Sequence, residues 1–180
     1  MGYLLFSPNG RIAKHRFWQG MVVLTVASVL ISAGAWLLNP ILGVLNYVLI
    51  FPYICVYGKR LHDSGSSAWW VIGVWGAAIV LQLILFMVFF FAILPNLMTP
   101  DQKEILEDII KLAEAGDNAE TMKGVEFLME QMDGVFQRAI LVLIIIVNTI
   151  VALVLGTFRS DPRENQYGPV PSEMSGGTFD

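Results

Sequence analysis

From Ser64 to Pro100 the chain carries no charged side chain, and this limits the fold more than any other feature. The apolar part of that stretch, Ala68–Leu94, has company. Trp18–Leu38, Pro40–Tyr57 and Ala139–Phe158 are also free of charge. A helix needs about 20 apolar residues to cross roughly 30 Å of hydrocarbon. Each run is about that long, so the expectation is an all-α integral membrane protein, one membrane domain over residues 1–180. Its four transmembrane helices lie at 18–38, 40–57, 68–94 and 139–158. The second carries Pro52, a residue that kinks helices. Composition agrees: 56% of residues are hydrophobic, 14% are charged and the mean hydropathy is +0.64, whereas soluble domains are nearer a quarter charged. The first run is too long, and too aromatic at its start, for a cleaved signal peptide. The single cysteine, Cys55, lies in an apolar run and reads as a small packing residue.

The net charge of −4 hides a segregation. Arg11, Lys14 and Arg16 precede the first run, Lys59 and Arg60 follow the second, and Arg159 and Arg163 follow the fourth. Cations beside membrane ends mark the cytoplasmic side. The expected topology therefore has a cytoplasmic lead (1–17), a cytoplasmic 58–67 loop and a cytoplasmic tail (159–180) with a disordered end. Residues 98–137 fall outside, with ten Asp and Glu. Arg138, which abuts the fourth run, dissents from this orientation.

Several local signals fill in this plan. "SPNG" (Ser7–Gly10) is a turn, and Tyr3–Phe6 is a short apolar patch suited to the membrane interface. "LLNP" (Leu37–Pro40) reads as a tight outer turn. Gly73 and Gly76 give the third helix a small-residue strip for close helix approach. In the 98–137 insert, "TPDQ" (Thr99–Gln102) is a capping box with proline at the first helical position. Ile105, Leu106, Ile109, Ile110 and Ala113 follow at helical spacing. Gly116 stops that helix and Asp117 with Glu120 restarts one. Met122, Val125, Leu128, Met129, Met132, Val135 and Phe136 form the next stripe. An extracytoplasmic amphipathic hairpin results, with its second arm able to continue into the fourth membrane helix. The two stripes either pack on each other and on the bilayer surface, or the Met-bearing one docks a partner.

No acidic or basic side chain lies inside the four runs, which argues against a proton-driven carrier. Asn46, Gln82 and Asn148 read as interhelical hydrogen-bonding groups, with a lined pathway as the alternative. No P-loop, dinucleotide fingerprint, HExxH or GxSxG occurs, and no nucleic-acid partner is indicated.

"KRLHDSGSSAWW" (Lys59–Trp70) concentrates the remaining chemistry. Lys59 and Arg60 suit a helix C-terminus and anionic headgroups. Asp63-Ser64-Gly65 is a turn, Ser66 or Ser67 a helix cap, and Trp69 and Trp70 interface anchors. Asp63 is the one carboxylate among many cations, so it is expected to pair with Arg11 or Arg16 across the same membrane face. His15, His62 and Asp63 lack the spacing of a metal motif.

Three segments together resemble a bacterial inner-membrane family known as domain of unknown function 805: "GRIAKHRFW" (Gly10–Trp18), "KRLHDSGSSAWW" and "NQYGPVP" (Asn165–Pro171). The resemblance implies an integral membrane protein without an assigned activity. It points to Gly10, Arg11, Phe17, Trp18, Arg60, Leu61, His62, Asp63, Gly65, Trp69, Trp70, Asn165, Tyr167 and Gly168. Ala13, Lys14 and Lys59 depart from the family pattern, where Ser, Arg and Arg are typical; a lysine makes no bidentate contact, so the expected partner of Asp63 becomes Arg60 or Arg11. The insert is longer than the family leads one to expect.

The expected function is non-enzymatic, with no catalytic residue, cofactor or metal. Arg11, His15, Arg16, Trp18, Arg60, His62, Asp63, Trp69, Trp70 and Tyr167 form a candidate cluster that binds anionic lipid headgroups or a membrane protein partner. An accessory or homo-oligomeric transport or channel component is the alternative. An enzyme acting on a lipid headgroup through His62 and Asp63 is a third reading.

Overall fold

A computed structural model describes residues 2–171. Its elements are helical, and no sheet forms among the described residues. The expected disordered end of the tail lies outside the described residues. Four helices are long and apolar enough to cross a membrane: Lys14–Leu37, Pro40–Asp63, Trp70–Leu97 and Asn118–Thr157. The protein is a multi-pass membrane protein.

Helix α1 is the short Gly2–Phe6, and α2 is Lys14–Leu37. The apolar patch at Tyr3–Phe6 is not wholly interfacial, because Leu4 is buried in the core while Tyr3 and Phe6 are exposed. The second run is not one helix. A 3-10 turn, Pro40–Val44, leads to α3 (Leu45–Val48) and then α4 (Ile50–Asp63). The break falls at Leu49, not at Pro52. Proline has no N–H for the preceding turn, so it is accommodated in the first turn of a new helix. At its other end α4 runs on through Lys59–Asp63, residues expected in a loop. The helix stops at Gly65, whose φ of 78° few other residues adopt.

Helix α5 is Trp70–Val88, followed by a π-helical turn, Phe89–Ile93, and α6 (Leu94–Leu97). Helix α7 is Pro100–Glu114. The capping box forms as the residues dictate: Gln102 N donates to Thr99 Oγ1 at 3.3 Å and Thr99 N to Gln102 Oε1 at 3.0 Å. Gly116 (φ 78°) ends the arm, and Glu120 N bonds Asp117 Oδ1 at 3.2 Å where the next begins. Helix α8 then continues unbroken from Asn118 to Thr157.

The chain forms two compact units, residues 1–81 with 144–180, and residues 82–143. The first is built on Phe17, Met21, Leu24, Val56, Leu61, Ala152 and Leu155, all buried. Interhelical polar bonds reinforce it: Asn148 Nδ2 donates to Tyr53 Oη at 2.9 Å, which lies 3.2 Å from Ser28 Oγ. Asn46 instead donates to Ser32 at 3.2 Å. The second unit packs Phe89, Leu94, Met98 and Met132, with the Phe89 and Phe136 rings edge to face.

Candidate functional site

In the first unit the C-terminal ends of α4 and α8 meet the segment after α8, and the end of α1 meets α4. A helix end exposes carbonyls with no intrahelical partner and carries partial negative charge. Three buried cations answer that demand. Lys59, fully buried, donates from Nζ to the carbonyls of Tyr3 (2.6 Å) and Leu4 (2.7 Å) at the end of α1. Its ammonium also lies 4.7 Å from the centre of the Tyr3 ring. A buried lysine without a carboxylate is costly, and here the helix end and the ring face offset it.

Arg60, the next residue, serves a different helix. Its Nε donates to the Leu155 carbonyl (3.2 Å), and Nη2 to those of Gly156 and Phe158, all at the end of α8. Its Nη1 donates to Asp63 Oδ2 (2.7 Å) and Ser160 Oγ (3.1 Å). All five guanidinium N–H groups are thereby used. The Phe17 ring lies beneath it, 6.0 Å away.

Arg11 binds the other carboxylate oxygen. Its Nη2 is 3.1 Å and its Nε 3.3 Å from Asp63 Oδ1. The same guanidinium donates to the carbonyls of Asp161 and Arg163 (2.7 Å for the latter), and lies 3.4 Å from those of Gly168 and Asp63. Asp63 is fully buried between the two arginines. Its carboxylate therefore does not close the local Asp-Ser-Gly turn. Two charged donors outcompete a neutral backbone N–H; Ser64 Oγ makes the local bond instead, to the Leu61 carbonyl at 2.8 Å.

His62 faces the lead and the tail at once. Its Nδ1 is 3.1 Å from the Gly10 carbonyl, and its ring stacks on Tyr167, centroids 3.8 Å apart and 7° from parallel. Asn165 Nδ2 donates to the His62 carbonyl (3.1 Å), while Asn165 Oδ1 accepts from Tyr167 N (3.0 Å) to fix the turn. The Asp161 N–H donates to the Asp63 carbonyl at 2.8 Å. The tail motif is thus a latch: Asn165 turns it, Tyr167 stacks and Gly168 offers a carbonyl.

The structure gathers Arg11, Arg60, His62, Asp63 and Tyr167 into this clasp. Trp18 packs elsewhere in the same unit, its ring 3.0 Å from where a Cβ on Gly156 would stand. His15 and Arg16 do not join; both are exposed and reach Gln19 (2.9 and 3.3 Å). Trp69 and Trp70 are 78% and 67% exposed. Lys59, assigned to headgroups by its position, is instead interior. Charge type and sequence position give no sign of this, because its acceptors lie more than fifty residues away. Among the described residues, no three His, Cys, Asp or Glu side chains come together as a metal site.

A clasp of buried arginines at the ends of membrane-spanning helices defines a class: a multi-pass protein whose polar residues are spent on holding helix ends together. A family model described as a protein of unknown function (DUF805) matches residues 5–100, more than half of the chain, and the chain belongs to that family. The match includes Gly10–Trp18 and Lys59–Trp70; the tail latch lies beyond it. No curated protein and no solved structure matches the chain.

Proposed function

We propose that this is a non-enzymatic protein of the bacterial inner membrane that associates with anionic lipid headgroups on its cytoplasmic face. The observation that carries the reading is the division of labour around the clasp. Its interior cations and carboxylate have partners within the chain, and no buried side-chain nitrogen or oxygen among the described residues is left without one. The rim differs in exposure: Lys14 and His15 are exposed at the start of α2, and Trp69 and Trp70 at the start of α5. Exposed cations near anionic headgroups contribute about 1 kcal/mol each, and indole rings favour that depth.

Native mass spectrometry of the gently extracted protein tests this. Lys14→Gln should reduce retained phosphatidylglycerol or cardiolipin while leaving thermal stability intact. Equal retention would remove the lipid reading. His62→Gln keeps a donor for the Gly10 carbonyl but cannot serve as acid and base. A cellular function lost in that variant, with folding preserved, would favour the enzymatic alternative.

A further inference from the structure

Three amide side chains, Asn46, Gln82 and Asn148, are expected from the sequence to bond between helices. Two of them do so within the chain, Asn46 to Ser32 and Asn148 to Tyr53. The third does not: the Gln82 amide makes no hydrogen bond to any described residue. Gln82 is half-buried on α5, and neither its amide nitrogen nor its amide oxygen is sealed inside the chain. The group therefore opens outward with its donor and acceptor unused. We infer that Gln82 pairs with Gln82 of a second copy, in a two-fold dimer formed along α5.

Depth excludes the ordinary ways of satisfying such a group. Gln82 stands in the span Trp70–Leu97, twelve residues from one end and fifteen from the other. At 1.5 Å per residue that is about 18 and 22 Å, against about 15 Å for half the hydrocarbon. Headgroups and bulk water are out of reach of its side chain. An acyl chain offers no hydrogen bond, and an unsatisfied polar group in hydrocarbon costs several kcal/mol. Symmetry then selects the occupant. Copies inserted in one orientation hold Gln82 at one depth, whereas a different protein would need a polar group placed there independently. A carboxamide is also its own complement, because the NH2 donates and the carbonyl accepts. A two-fold axis along the membrane normal closes two reciprocal bonds with one residue type. The surroundings permit the approach. Phe86, one turn further on, and Leu83 are exposed and apolar, and helices in lipid associate by packing together with such polar bonds. No charged side chain lies between Ser64 and Pro100 to oppose two α5 helices.

The test uses the full chain in phosphatidylcholine liposomes. Copies labelled with donor or acceptor fluorophores should show energy transfer above chance proximity, falling as lipid dilutes the protein. Gln82→Met keeps the length of the side chain and removes the amide. It should weaken dimerisation about tenfold. It should not lower the unfolding midpoint of the dilute protein, because no bond within the chain is lost. Gln82→Asn, which keeps an amide, should recover part of the difference. In a Cys55→Ala background, copper-phenanthroline should join Phe86→Cys into a disulfide dimer. Ile84→Cys is equally exposed but lies about 160° round the helix from Phe86, and should cross-link far more slowly. Transfer no greater than chance would overturn the inference. So would equal transfer for Gln82→Met, a lowered unfolding midpoint in that variant, or equal cross-linking of the two cysteines. A Phe86→Cys cross-link in native membranes that joins a different protein in place of a second copy would overturn it too, and would assign the amide to that protein.

Discussion

Arg60 and Arg11 are not interchangeable with lysine. Arg60 reaches five acceptors through a planar fork; a lysine has three donors at a single point. Arg60→Lys should therefore destabilise the extracted protein by about 2 kcal/mol or more, read as a lowered unfolding midpoint. Asp63→Ala, which leaves two buried guanidinium groups facing each other, should cost about 3–5 kcal/mol. Arg11→Ala with Asp63→Ala should cost clearly less than the sum of the two singles. Additive penalties would mean that the 3.1 Å contact contributes nothing. Asp63 is conspicuous in the sequence as the lone carboxylate. The residues alone offer Arg11 or Arg16 as partner, the family resemblance shifts the choice to Arg60 or Arg11, and the fold uses both of the latter. Arg16 stays outside because it lies within α2, whereas Arg11 lies in the segment before it.

At the scale of elements, the four apolar runs and the Thr99–Gln102 capping box are legible because their causes are local. The break at Leu49, the π-helical turn and the extension of α4 to Asp63 are not. Each depends on what packs against the helix, or on carbonyls far along the chain. Lys59 and Arg60 show this best: adjacent in sequence, they serve the ends of α1 and α8. The α7–α8 contact gives a prediction at this scale. A Cβ on Gly124 would stand 2.8 Å from Ile109 Cγ1, whereas one on Gly76 would meet nothing within 4 Å. Gly124→Val should cost about 1–3 kcal/mol by overpacking and speed amide exchange in α7. Gly76→Val should leave α7 exchange unchanged, and similar exchange in both variants would argue against close packing of the hairpin.

For the whole molecule, membrane class and helix count follow from hydropathy alone, while orientation rests on where the cations fall. Single cysteines placed in a Cys55→Ala background decide it. Lys14→Cys and Arg159→Cys should react with a membrane-impermeant thiol reagent only after the membrane is opened, and Asn118→Cys in intact spheroplasts. The reverse pattern would invert the topology and place residues 98–137 inside. Gly10–Trp18 and Lys59–Trp70 supply the arginines and Asp63, and most of the other acceptors of the two guanidinium groups lie at residues 155–168. The arginines are therefore visible early in the chain, but their purpose is not.

That separation also sets an order of events during synthesis. Lys59 meets carbonyls made before it, whereas Arg60 and Arg11 draw most of their acceptors from residues 155–168. Until the ribosome has delivered that segment, the first three spans must sit in the membrane with two guanidinium groups short of partners. Until then Asp63 is the partner both arginines already have, and the clasp closes only when residues 155–168 arrive.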